Sequence, residues 1–119
     1  MIYLASPYTH PDPRVMESRY EQTCIAVGSL IKQGLHAYSP IAHSRSVALL
    51  SDLPHDFGFW NAYDTDMISR CDEVWVLMLD GWEDSEGVKA EIKIALDLNK
   101  KIRTLAPNET EPVAVDTRL

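Results

Sequence analysis

Seven residues in the second half of the chain, Glu73-Val74-Trp75-Val76-Leu77-Met78-Leu79, form an almost unbroken apolar run. A strand with one wet face alternates apolar and polar side chains. A strand that is apolar on both faces must be covered on both, as in the centre of a parallel sheet. Helical periodicity flanks this run on either side. Residues 57–71 set Trp60, Tyr63, Met67 and Ile68 along one side, and Asp64 shares that general face. From Ser85 to about Leu98, the apolar positions are Val88, Ile92, Ala95 and Leu96. Upstream, Ile2-Tyr3-Leu4-Ala5 is a short strand stopped by Ser6-Pro7. A helix opens at residues 11–13 and carries Met16, Tyr20, Cys24, Val27, Leu30 and Ile31 to a stop at Gly34. Residues 36–40 read as a second strand. Residues 41–55 are ambiguous, with a short helix around 44–50 and then a loop. Ile102-Arg103-Thr104-Leu105 is the last clear strand, and residues 113–115 carry a weak strand signal in a polar tail. Strands alternating with helices predict one α/β domain over residues 1–119. Its architecture is a three-layer doubly wound parallel sheet, flavodoxin- or Rossmann-like, of four to five strands.

Charge and composition narrow the partners. Eighteen acidic against 11 basic residues give a net charge of −7. A nucleic acid polymer requires a cationic face and is excluded as the main partner. No apolar stretch reaches the roughly 18 residues of a membrane span, and Met1-Ile2-Tyr3-Leu4-Ala5-Ser6 lacks the basic start and long apolar core of a secretion signal. No membrane partner is expected, and the expected compartment is the cytoplasm. Cys24 and Cys71 are the only cysteines and form no CxxC pair, so both read as small buried hydrophobes. Asp64, Asp66, Asp72 and Asp80 lack the spacing of a metal-binding loop. Neither metal nor cofactor is expected.

Open parallel sheets bind ligands beyond the carboxyl ends of their strands. That rule selects Ser6, Pro7, Tyr8, Thr9 and His10 after the first strand, and Ser39, Pro40, His43 and Ser44 after the second. After the central strand it selects Asp80, Gly81, Trp82, Asp84, Ser85 and Gly87. Ser85 suits a helix N-cap, and Gly87 permits close approach of a ligand to the first turn, where free amides favour an anion such as a phosphate. Glu91 follows within two turns, and its side chain leans back towards that end. Its neighbours Ala90, Ile92 and Ala95 are apolar, so a carboxylate there needs a purpose.

Taken together, the opening Ile2-Tyr3-Leu4-Ala5-Ser6-Pro7-Tyr8, the helical Asp64 upstream of Cys71-Asp72-Glu73-Val74-Trp75-Val76-Leu77, and Asp84-Ser85-x-Gly87-x-x-x-Glu91 resemble the nucleoside 2-deoxyribosyltransferase superfamily. With Asp80-Gly81-Trp82, the pattern is similar to a small, poorly characterised, DUF1937-like branch. The resemblance covers residues 1–105. It implies that Glu91 is a nucleophile for the anomeric carbon, that Asp64 assists protonation of the departing base, and that Tyr3 holds the nucleophile carboxylate. It places Ser85 where relatives acting on free nucleosides carry a sugar-gripping aspartate, and relatives acting on nucleotides a phosphate-reading serine. Asp84 is an alternative for the sugar.

The chemistry agrees with that assignment. Cleavage of an N-glycosidic bond builds oxocarbenium character and needs a protonated leaving base, so one carboxylate and one carboxylic acid divide the work. Burial beside Trp60 and Tyr63 would raise the pKa of Asp64 for the acid role. The expected substrate-binding set is Ser6, Pro7, Tyr8, His43, Asp80, Asp84, Ser85 and Gly87, and the expected partner is a small-molecule nucleoside or nucleotide. His10 and His43 are further candidates for contacting phosphate or base, and Trp60, Trp82 and Tyr8 for stacking. Arg14 and Arg19 open the first helix on the ligand side, with a surface role expected for Arg19.

A homo-oligomer, dimer or tetramer, is expected, with residues 57–71 in its interface. In deoxyribosyltransferases a neighbouring subunit completes the site through its C-terminal part, and residues 108–119 show no match to that element. A nucleotide-binding module that has lost efficient catalysis is the alternative function. The Pro-Gly-Gly-x-Gly-Thr signature of phosphoribohydrolases is absent.

Overall fold

The computed structural model of the protein describes residues 1–115. The elements are β1 (Ile2–Ala5), α1 (Pro13–Lys32), β2 (Ala37–Tyr38), α2 (Pro40–Ser51), α3 (Phe57–Arg70), β3 (Glu73–Leu77), α4 (Glu86–Asp97), β4 (Lys101–Leu105) and β5 (Val113–Ala114). The sheet order is β2-β1-β3-β4-β5. The first four strands run parallel, and β3 lies between β1 and β4 in the register Tyr3–Val74–Ile102.

Alternation along β3 explains its unbroken apolar run. Val74 and Val76 face one side with Tyr3, Ala5 and Ile102, under Ile68 of α3 and Val88 and Ala95 of α4. Trp75 and Leu77 face the other side with Leu4 and Leu105, under Leu30 of α1. The α/β class and its three layers are therefore those expected. At Leu79 the chain leaves the sheet, where its amide donates to the Leu77 carbonyl at 2.9 Å.

Four details differ from the sequence reading. β5 pairs antiparallel with β4, because residues 106–112 are too few for the crossover that parallel pairing requires. α2 begins at Pro40, well before residue 44. The Ser39 hydroxyl accepts from the Ala42 amide at 3.0 Å, and Pro40 takes the first helical position, where no N–H is missed. Ile31 is 55% exposed, because it lies about 100° around the helix from the buried Leu30. Cys71 is buried as expected, whereas Cys24 is only half-buried, and both are free thiols. The last part of the tail, residues 116–119, lies outside the described residues. Among those described, no helix is long and apolar enough to cross a membrane, and no group of three or more metal-ligating side chains gathers.

Candidate active site

A cleft of about 440 Å³ opens at the carboxyl ends of the strands. Ser6, Tyr8 and Thr9 line it from the end of β1. Ser44, Arg45 and Ala48 line it from α2, Phe57, Trp60 and Asp64 from α3, and Asp84, Ser85, Gly87 and Glu91 from the start of α4.

Glu91 stands on the second turn of α4 and is 5% exposed. The Tyr3 hydroxyl donates to its Oε2 across the sheet surface. Burial lifts the Glu91 carboxyl to about 8; the Tyr3 hydrogen bond opposes that shift and the nearby charge of Asp64 adds to it. Burial, reinforced by the adjacent Glu91, pushes the Tyr3 hydroxyl far above its ordinary value. Asp64 is 6% exposed, and its Oδ1 has no hydrogen-bond partner. Burial raises it to about 6. Two buried carboxyl groups, each perturbed upward by burial, thus share one cleft, and the charge of Asp64 adds to the shift of Glu91, the arrangement that separates acid from base in catalytic sites.

Tyr3 is a positioning residue, since it is wholly buried behind Glu91. The substitution Tyr3→Phe is expected to drive the Glu91 pKa above 8, because it removes the one contact lowering it. It should also cost about 1–3 kcal/mol by stranding a buried acceptor. Thermal melts and the alkaline limb of the rate profile check both effects.

The start of α4 is built as its sequence suggests. The Ser85 hydroxyl accepts from the Val88 amide at 3.2 Å and caps the helix. Its hydrogen remains free to donate into the cleft. Gly87 leaves space in front of the carboxylate: a Cβ there would lie 4.0 Å from Glu91 Oε1 and 3.9 Å from Ser85 Oγ. Alanine therefore fits at ordinary contact distance, whereas a long side chain would fill the mouth of the site. The variant Gly87→Leu is expected to cut turnover at least about tenfold without lowering the melting temperature, since glycine costs a helix up to about 1 kcal/mol. Parallel melts and rate measurements on Gly87→Ala and Gly87→Leu test this.

Other sequence candidates fall elsewhere. Pro7 is buried and lies outside the cleft lining. His43 is exposed, and its Nε2 meets the Tyr63 hydroxyl at 3.0 Å, because the unexpectedly long α2 carries it round to the α3 side. His10 accepts from the Asp12 amide at 3.0 Å, in the turn before α1. Asp80 is exposed and enters the structure through its carbonyl. The Arg19 guanidinium donates to that carbonyl at 2.8 Å and to the carbonyls of Thr9 and Tyr8 at 3.0 and 3.4 Å. Arg19 therefore clasps the loops after β1 and β3 rather than serving only at the surface. Gly81 completes the clasp, with φ of 85° and no room for a Cβ, which would sit 2.6 Å from Arg19 Nη2. Arg14 is exposed and pairs with Asp12. Trp60 lines the cleft, and its indole N–H is held by the Pro54 carbonyl at 2.8 Å. Trp82 packs against the core.

Arg45 is the cationic lining residue that sequence reasoning missed. Its ion pair with Glu17 and its stack on Tyr20, 4.0 Å from the ring centroid, join α2 to α1. The short helix expected around residues 44–50 already contained it, and the Ser39-Pro40 start, one turn and a half earlier, is what sets the face on which it lies.

No curated protein matches this sequence. The family model described as "Domain of unknown function (DUF1937)" matches residues 1–106, nearly all of the fold and every lining residue of the cleft, and the chain belongs to that family.

Proposed function

We propose that this protein cleaves or exchanges the N-glycosidic bond of a nucleoside or nucleoside 5′-monophosphate, as the sequence resemblance to nucleoside 2-deoxyribosyltransferases implies. The observation that carries the reading is the pair of buried, upward-shifted carboxyl groups, Glu91 and Asp64, in one cleft of small-molecule size. Glu91 in its ionised form attacks the anomeric carbon as the carbon–nitrogen bond breaks. The electron pair of that bond passes to the base, which takes up the Asp64 proton. The resulting glycosyl ester on Glu91 is opened by water or by a second base, either of which gives up its proton to Asp64 as it bonds to the anomeric carbon and frees the Glu91 carboxylate. Tyr3 orients the Glu91 carboxylate throughout, and Trp60 offers a face on which a flat base stacks. Such chemistry on nucleotide pools belongs in the cytoplasm, where free thiols such as Cys24 and Cys71 persist.

A nucleotide-binding module is the second reading. It is favoured by one observation: Glu91, at about 8, holds its proton at neutral pH in the free protein. Incubation of the wild type and of Glu91→Ala with a panel of nucleosides and 5′-monophosphates, with and without an acceptor base, separates the two. Chromatographic detection of free base from the wild type alone supports the enzyme. Tight binding with no base released from any member supports the module.

A further inference from the structure

The cleft wall is strongly acidic. Asp56, Asp64, Asp84, Glu86 and Glu91 line it, and among the described lining residues Arg45 is the one guanidinium. Arg45 is partly engaged: one terminal nitrogen meets Glu17 and its plane stacks on Tyr20, but Nε is buried and has no partner. The neighbouring Ser44 Oγ is likewise buried; its polar neighbour is the Tyr38 hydroxyl, with which it makes no well-formed hydrogen bond, and the Tyr8 hydroxyl lies beside the guanidinium. Buried donors are seldom left unused, because each forfeits its bond to water. Both residues line the cleft, so each can offer a donor to a ligand held there.

We propose that Ser44 and Arg45 form an oxyanion subsite that takes the 5′-phosphate of a nucleoside 5′-monophosphate. The proposal rests on the N-glycosidic reading above and selects the nucleotide over the nucleoside. A second donor group in the cleft, Ser85 at the start of α4, is flanked by Asp84 and Glu86; Arg45 offers an anion a cation whose planar fork suits phosphate oxygens. A phosphate monoester presents several oxygens at once, which matches the separate donors of Nε, Ser44 and Tyr8. The Glu17 pair holds the guanidinium in place before the ligand arrives, so little freedom is lost on binding.

The test compares kcat/KM for one nucleoside 5′-monophosphate with that for its parent nucleoside. In Arg45→Met the preference for the monophosphate is expected to fall about 100-fold, and in Ser44→Ala about tenfold. In Glu17→Gln, which spares the guanidinium but loosens it, the preference is expected to fall by no more than about threefold. The proposal is overturned if Arg45→Met slows both substrates by the same factor, or if Glu17→Gln lowers the preference as far as Arg45→Met does. Either result would make Arg45 a strut between α1 and α2. Should Arg45→Met fail to fold, Ser44→Ala and Glu17→Gln decide by the same ratios. Calorimetric titration of the wild type with the two ligands covers the remaining case. If neither substrate releases base, the glycosidic reading falls by itself. The subsite then stands on a monophosphate binding about 100-fold tighter than the nucleoside, and falls if the two bind alike.

Discussion

Replacing Glu91 with glutamine is expected to abolish base release and, at pH 8, to raise the melting temperature by roughly 10 °C. The kinetic half follows from the proposed attack on the anomeric carbon, because an amide is no nucleophile; the loss should exceed about 1,000-fold. The stability half follows from burial. The native carboxyl ionises only near 8, against an ordinary value of 4.5. Its folded pKa is raised, so the stability it contributes is fully present below about pH 4.5 and is lost as pH climbs through 8. At pH 8 that loss is on the order of 4 kcal/mol, part of which the unpaired amide N–H of the variant takes back. Glutamine keeps the shape and the acceptor for Tyr3 but has no charge to bury. Melting curves of both proteins should diverge at pH 8 and converge near pH 4.5. A variant that melts lower than the wild type at pH 8 would show that the native carboxylate is well solvated or paired, contrary to its environment.

The rate profile of the wild type is expected to be bell-shaped, with limbs near pH 6 and pH 8, and Asp64→Asn should remove the bell. Between those limits the pair Glu91–Asp64 carries one proton. In the free protein it resides on Glu91. The proposed chemistry needs it on Asp64, the less populated of the two arrangements because burial raises Glu91 further. A bell arises in either case, because both arrangements hold the same number of protons. The variant distinguishes them. With Asp64 removed, the residual rate should fall at least about 100-fold at pH 7 and then follow Glu91 ionisation, whose midpoint moves down because the Asp64 charge no longer raises it. A substrate whose base leaves without protonation should recover most of that loss. Unchanged activity of Asp64→Asn at pH 7 would remove Asp64 from the mechanism.

Much of the layout was legible in the residues. The apolar run at 73–79 could be only a central strand, and the helices beside it showed their period plainly. Glu91 stood out because a carboxylate on an apolar helical stretch is costly without a use, whereas Asp64 shared an apolar helix face and took its role from the family resemblance. Other features depend on contacts that no local pattern encodes. The antiparallel turn of β5 is decided by the length of a connection. His43 was misplaced because α2 is twelve residues long, and a helix rotates each successive side chain by about 100°. Arg45 escaped notice for the same reason, since its role depends on α1 supplying Glu17 and Tyr20 from 25 or more residues away. Arg19 reads as an ordinary surface arginine until the loops after β1 and β3 are brought together.

The Arg19 clasp has a mechanical consequence. By tying three carbonyls from two loops to one guanidinium, it makes the β1 and β3 rims of the cleft move as a single body. Breathing of the cleft is left to the opposite rim, residues 52–56 between α2 and α3, which are mostly exposed. Amide hydrogens there, Leu53 apart, should exchange faster than those of Trp82, Asp84 and Ser85, which are hydrogen-bonded within the clasped loop. A ligand should therefore enter and leave past the α2–α3 corner, and a bound nucleotide should slow exchange at that corner more than anywhere else.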